Sequence, residues 1–251
     1  MPTRIALVLS LAVVAGAQAQ EVSAARGWMF NESTLLPSAM HAEVLSRVTF
    51  ASGGSLTRPF ASNLGAAGTL VEVGGELGVL PAVSVVMLGA QGDAPVTRAT
   101  ATGAQVGLRW AALARNGARL VIGAGYLRDL SGSNGAWSRV SFEQDIGRAR
   151  LALSLHGEHL FSAGHDGFDV MVRAGADAPV VGPLRAGVEY VGQDLEGIAQ
   201  VEAEGGARHI VGGVLGVRLL SNSLSLTGGP ALGIGAGTAR AMGRFALAVA
   251  F

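Results

Sequence analysis

Residues 68–79 read GTLVEVGGELGV, and apolar and acidic side chains alternate along them. Val71 and Val73 occupy one parity, whereas Glu72 and Glu76 occupy the other. Successive side chains of a β-strand point to opposite faces of the sheet, so this stretch predicts a strand with one apolar face and one charged face.

The same alternation recurs from about Met40 to the end of the chain, in runs separated by Gly, Pro, Asn, Asp and Ser clusters. The runs lie near 40–51, 66–78, 82–91, 101–112, 118–128, 136–147, 149–161, 167–177, 183–193, 207–219, 223–234 and 242–251. The connectors between them alternate in length: Ser52–Gly65 and Asp194–Gly206 are long, whereas Gly147-Arg148 is short. Long loops at one end and tight turns at the other are typical of transmembrane β-barrels.

The predicted fold class is therefore all-β, an antiparallel transmembrane β-barrel of about 12 strands, with ten and fourteen strands as alternatives. Short turns are expected on the periplasmic side and longer loops on the extracellular side. A soluble exported β-sandwich remains an alternative, because its strands also alternate. Sandwich strands average about five or six residues, however, and several runs here keep their alternation for longer.

Composition excludes several function classes. The 251 residues carry 18 basic and 18 acidic side chains, all the basic ones being Arg, so no net positive charge attracts nucleic acid. The absence of cysteine excludes disulfides, thiolate metal sites and a cysteine nucleophile. We expect no cofactor and no metal site.

The first residues form an export signal. Arg4 precedes the apolar run Ile5–Ala15, and Ala17-Gln18-Ala19 supplies small residues before a cleavage point after Ala19. This run is too short to span a bilayer and is typical of a secretory signal peptide. The predicted organisation is a signal peptide over 1–19, a periplasmic N-terminal extension over 20–37 and a barrel over 38–251.

The last segment, residues 244–251, reads RFALAVAF and ends the chain on an aromatic residue. Phe245, Leu247, Val249 and Phe251 share one face. This pattern resembles the C-terminal insertion signal of Gram-negative outer-membrane β-barrel proteins. The resemblance implies an outer-membrane location and the barrel-assembly machinery as a folding partner. Outer-membrane lipid and lipopolysaccharide are then the expected surroundings.

Charged residues on the parity opposite the apolar face are the candidate lumen-lining set. They are Glu72, Glu76, Arg109, Arg139, Glu143, Arg173, Arg185, Glu189 and Arg218. They either line an aqueous pore and set its charge preference, or pair across strands and fill a small barrel. The function predicted is a narrow pore, a solute-binding channel for a small solute, or a structural surface barrel.

An outer-membrane lipid-modifying enzyme is the catalytic alternative, since the twelve-stranded class includes a phospholipase with a Ser/His dyad. His156 and His159 lie on opposite faces of one predicted strand, which prevents a shared dyad or metal site. We therefore predict no enzymatic activity. An acidic loop cluster, Asp194, Glu196, Glu202 and Glu204, is interpreted as a solvated loop, with divalent cation binding as the alternative.

Overall fold

The computed structural model describes residues 28, 30, 33–52, 68–93, 100–130, 132–162, 168–193, 195, 208–220, 223–234 and 241–251. Within them lie twelve β-strands of 10 to 16 residues. The strands are β1 (Ala42–Ser52), β2 (Gly68–Leu80), β3 (Val83–Asp93), β4 (Thr100–Arg115), β5 (Ala118–Arg128), β6 (Asn134–Ile146), β7 (Ala149–Leu160), β8 (Asp169–Val181), β9 (Leu184–Gln193), β10 (Arg208–Leu219), β11 (Leu224–Ile234) and β12 (Ala241–Ala250).

The sheet closes on itself. Each strand pairs antiparallel with its chain neighbours, and β1 also pairs with β12, with Val48 opposite Phe245. Ala42 and Phe251 exchange backbone hydrogen bonds of 2.9 and 3.0 Å beside this seam. Closure pairs every strand edge, as a sheet within lipid requires. The predicted twelve-stranded antiparallel barrel is confirmed, and a two-sheet sandwich is excluded.

The two ends of the barrel differ in their connections. At the turn end, strands are joined through 81–82, 116–117, 147–148, 182–183 and 220–223; at the loop end, the intervals are 53–67, 94–99, 129–133, 161–168, 194–207 and 235–240. Asn116 and Gly117 both have positive φ, 52° and 75°. Two consecutive positive φ values are typical of the type I′ turn, whose twist suits a two-residue hairpin.

Three strands extend further toward the turn end than the alternation predicts. The ladder shifts register between Gly78 and Leu80, between Ala111 and Leu113, and between Pro179 and Val181. A bulge adds one residue to one strand and so breaks the period of two. The sequence pattern therefore ends at the bulge, whereas β4 continues to Arg115 instead of stopping near residue 112.

The two faces of the barrel have opposite chemistry. Leu153 and Leu155 on the outer face are each 51% exposed, and Phe245 is 60% exposed. Facing inward, Glu143 is 0% exposed and Glu189 is 1% exposed. An apolar exterior around a charged interior is the arrangement of a barrel in a membrane.

Candidate functional site

The candidate site is the barrel lumen, and all nine predicted lumen-lining residues face it. Seven are buried and two, Arg185 and Arg218, are half-buried. The buried ones are Glu72, Glu76, Arg109, Arg139, Glu143, Arg173 and Glu189. Strand parity predicts that these residues lie on the inner face. It does not predict their ion-pair partners, because those depend on the register of neighbouring strands.

Glu72 is held between two arginines. Arg47 lies directly opposite Glu72 in the β1–β2 register, with its Nη2 3.2 Å from Oε1 of Glu72. Arg244 of β12 approaches from the other side, with its Nη2 2.6 Å from Oε2 of Glu72. This carboxylate thus joins three consecutive strands around the barrel seam.

Glu76 and Arg109 form a second buried pair that spans β3. Arg109 Nη1 lies 2.7 Å from Oε2 of Glu76, and the hydroxyl of Ser84, on the strand between them, donates to the other carboxylate oxygen. Both charged side chains are almost completely buried. Buried charges need such full pairing, since an isolated one is costly.

Asp177 organises the turn end of the lumen. It accepts two hydrogen bonds from Arg150 and two from Arg185, of which Arg185 Nη2 to Oδ1 measures 2.7 Å. Arg218 of β10 lies close enough to Arg150, Arg185 and Asp177 to interact electrostatically. Arg119 pairs with the half-exposed Asp145 at 2.9 Å on the neighbouring strands.

A mixed aromatic and charged cluster lies in the loop half of the lumen. Arg139 Nε donates to His156 Nδ1 at 3.0 Å, so the His156 Nε2–H donates to Glu158, 2.7 Å away. Trp137 stacks near the imidazole, with ring centroids 6.3 Å apart, and Arg139 lies over the indole. Arg139 and Glu158 thus engage both ring nitrogens of His156, an arrangement that orders the lumen wall and does not supply a nucleophile with a base.

Part of the predicted periplasmic extension lies inside the barrel. Trp28, Phe30, Ser33 and Thr34 are all buried and contact the lumen wall. Trp28 Nε1 donates to Oε1 of Glu143 at 2.6 Å, and the hydroxyl of Thr34 donates to the other oxygen of the same carboxylate. The sequence predicts a periplasmic extension over 20–37; the described residues of that range bind in the lumen, where wall carboxylates accept their N–H and O–H groups.

Phe30 occupies an apolar pocket within this otherwise charged lumen. Phe30 is 1% exposed, and its ring packs with residues of five strands. The pocket residues are Met171, Val191, Ile210, Val214, Ala231 and Met242. The Phe30 backbone N–H donates to Oε2 of Glu189 at 2.7 Å, and Arg244 lies over the ring.

Sequence reasoning missed several site residues. Trp28 and Phe30 lie outside the alternating runs, although two aromatic residues in a short extension are a signal for burial, since only 5% of the chain is aromatic. Arg150 and Asp177 lie near turns, where the alternation is weakest. Arg47 lies on the charged parity of the first run, so the alternation also predicts that it faces the lumen.

The predicted insertion-signal residues lie outside the lumen. Phe245, Leu247, Val249 and Phe251 face outward, and their role as an insertion signal remains a prediction. The acidic cluster Asp194, Glu196, Glu202 and Glu204 and the predicted signal peptide over 1–19 lie outside the described residues. Among the residues that are described, no group of three or more His, Asp or Glu side chains is arranged to hold a metal ion. In the same part of the chain, no helix is long and apolar enough to cross a membrane.

Comparison with known proteins adds structural relatives only. No family model matches the sequence, and no curated protein matches it. The solved structure of the KdgM porin superposes with a TM-score of 0.57 at 8% identity, covering 83% of this chain and 99% of that one. The NanC porin gives 0.56 at 9% identity, covering 83% and 98%. An outer-membrane channel from Pseudomonas putida F1 gives 0.58 at 8% identity, covering 86% and 97%.

These likenesses define the class of the protein. The closed twelve-stranded barrel, its apolar exterior and its resemblance to these structures are those of an outer-membrane β-barrel protein with a porin-like fold. At identities of 8–9% the resemblance establishes the fold, and the function has to be argued from the lumen.

Proposed function

We propose that this protein is a narrow outer-membrane channel for small polar solutes. The observation that carries the proposal is the inner face of a closed barrel lined by charged side chains of both signs, such as Glu72, Arg109 and Glu189. Charged groups on the wall replace part of the hydration shell of a passing solute, which an apolar lumen does not do. The similar fold of two porins and an outer-membrane channel supports the same class of activity.

The charges of the wall predict weak ion selectivity. Positive and negative groups are paired with each other around the lumen, as in Arg109–Glu76 and Arg150–Asp177. A paired wall presents little net field to a solute, so cations and anions meet similar barriers. Neutral or zwitterionic small solutes fit such a wall better than strongly charged ones.

The lumen is filled in this conformation. Glu143, Glu189 and Arg109 are 0%, 1% and 3% exposed, whereas a wide aqueous pore would leave such side chains in contact with water. Twelve strands lie between the filled barrels of about 8 strands and the open channels of about 16. The proposed channel is therefore narrow and has a closed state.

Location and partners belong to the same proposal. We place the turn end on the periplasmic side and the loop end outside the cell, the usual orientation of such barrels. The outer face carries exposed apolar side chains that lipid and lipopolysaccharide would cover. The barrel-assembly machinery would recognise β12, with Phe251 as the terminal residue of its signal.

Recording from planar bilayers tests the proposal. The purified protein, with its barrel verified by the mobility shift between unboiled and boiled samples, is expected to give small, discrete current steps. Reversal potentials in a salt gradient are expected to lie close to zero. Quiet bilayers from both the complete barrel and a variant without residues 20–37 would overturn the channel and leave a structural surface barrel.

A further inference from the structure

The barrel wall is complete without the residues that enter the lumen. β1 begins at Ala42, and its pairing with β12 runs from Glu43 opposite Ala250 to Ser52 opposite Ala241. Upstream of Ala42, the described backbone pairs with the wall at Gly78, through the bridge from Ala39. Met40, with φ of 65° and a side chain 85% exposed, marks the point where the chain turns from the wall into the lumen.

The described residues Trp28, Phe30 and 33–38 are called the lumenal segment, and they are held by the kinds of contact that hold a ligand. Glu143 accepts from the Trp28 indole and from the Thr34 hydroxyl, and Glu189 accepts from the Phe30 backbone N–H. The guanidinium of Arg109 donates to the carbonyl oxygen of Ser33. Side chains of the wall thus satisfy backbone and side-chain groups of the segment, as in peptide recognition.

Two aromatic side chains anchor the lumenal segment. The Arg150 guanidinium lies 4.4 Å from the ring centroid of Trp28, a cation–π contact. Phe30 fills its apolar pocket, and burial of such a ring stabilises the bound segment. A water-filled pore is expected to have a polar wall. The apolar pocket therefore indicates that this part of the lumen is shaped for an aromatic side chain.

The wall retains ion pairs if the lumenal segment leaves. Glu143 keeps Arg119, whose Nε lies 3.5 Å from Oε2, and Arg109 keeps Glu76 at 2.7 Å. Removing one partner of a buried charge is costly when nothing replaces it, but here a second partner is already in place. The departure of the segment therefore leaves these charges compensated.

We propose that the lumen contains a peptide-binding site whose resident ligand is the lumenal segment, and that this segment is an exchangeable plug. The bound segment closes the channel, and its departure at the turn end opens it. The opening step rests on the proposed channel function, whereas the peptide site stands without it. The ligand class is a peptide with two aromatic side chains spaced as Trp28 and Phe30 and a hydroxyl at the position of Thr34.

The test uses a barrel lacking residues 20–37 and a fluorescein-labelled peptide with the sequence of 20–38. Fluorescence anisotropy measures binding of the peptide to the refolded barrel, and bilayer recording measures current. The shortened barrel is expected to conduct several-fold more than the complete one, and the peptide is expected to bind and restore the low current. A control peptide with Trp28→Ala and Phe30→Ala is expected to do neither.

A pair of full-length variants tests the plug without any deletion. A Cβ on Gly78 would overlap the carbonyl oxygens of Pro37 and Ser38, so Gly78→Ala displaces the lumenal segment where it enters the barrel. A Cβ on Gly213 meets nothing within 4 Å, so Gly213→Ala is the matched control. Gly78→Ala is expected to raise the current several-fold and Gly213→Ala to leave it unchanged.

The outcomes separate this inference from the channel proposal. Peptide binding to a shortened barrel that conducts no current would support the peptide site and overturn the channel. Equal currents from the complete barrel, the shortened barrel and Gly78→Ala would overturn the plug. A shortened barrel that conducts but binds neither peptide, or binds both peptides equally, would overturn the peptide site.

Discussion

The carboxylate of Asp177 compensates the positive charge of the arginines at the turn end of the lumen. Its carboxylate receives bidentate hydrogen bonds from Arg150 and from Arg185, and its side chain is 1% exposed. Arg218 adds a third positive charge nearby. Removing this carboxylate leaves arginines facing each other in a region that water reaches poorly.

Asp177→Ala is therefore expected to lower the free energy of unfolding by about 3–5 kcal/mol, the cost of breaking a buried ion pair. Denaturant titration of the barrel in lipid vesicles measures this change. The matched control is Asp145→Ala, which removes one of the two acidic partners of Arg119 but alters a side chain that is 43% exposed. Its expected cost is below about 1 kcal/mol. Equal losses in the two variants would contradict the role given to Asp177.

At this scale the sequence predicts which face a residue occupies but not what it touches. Glu72 and Arg109 could be assigned to the lumen because parity follows directly from strand geometry. The pairing of Arg47 with Glu72 depends on how two strands separated by residues 53–67 align. Neither strand's sequence alone predicts that register. Trp28 carries no periodicity at all, so its place in the lumen follows only from three-dimensional contacts.

The strands are the part of the structure that the sequence predicts best. Twelve alternating runs correspond to twelve strands, and runs such as 118–128 match the bounds of their strand, Ala118–Arg128. The largest differences lie at the turn end, where bulges such as the one between Ala111 and Leu113 interrupt the alternation. The alternation of apolar and polar side chains requires a regular pleat, so the pattern stops where a bulge interrupts the strand.

The last strand leads to a prediction about assembly. The side chain of Phe251 is 48% exposed on the outer face, while its backbone exchanges hydrogen bonds with Ala42. Phe251→Ala preserves the backbone pair and removes the terminal aromatic ring. It is expected to lower the amount of heat-modifiable barrel in cells but not the folding yield into vesicles without machinery.

The control for this variant is Phe161→Ala, which removes a similarly exposed ring just beyond the loop end of β7. It is expected to leave both yields unchanged. If Phe251→Ala assembled normally in cells, the role of the terminal residue as an insertion signal would be wrong. If it folded poorly in vesicles as well, the ring would be serving stability and not recognition.

At the scale of the whole molecule, the barrel reverses the usual distribution of polarity. Its outer face is apolar at Leu153 and Leu155, and its interior buries charges such as Glu143 and Arg109. In water this arrangement would expose a large apolar surface and favour aggregation. In a bilayer the same surface meets hydrocarbon, and the interior charges are compensated by one another and by the lumenal segment.

The most direct test of this account is depth and face mapping along β7 with an environment-sensitive fluorophore. The chain has no cysteine, so each introduced cysteine is a unique labelling site. Labels at Leu151, Leu153 and Leu155 are expected to be quenched by brominated lipid acyl chains, whereas labels at Ala152 and Ser154 are not. Quenching that alternates with a period of two would establish a lipid-facing outer surface around a filled lumen. Uniform quenching, or none at any of the five positions, would contradict a transmembrane barrel with these faces.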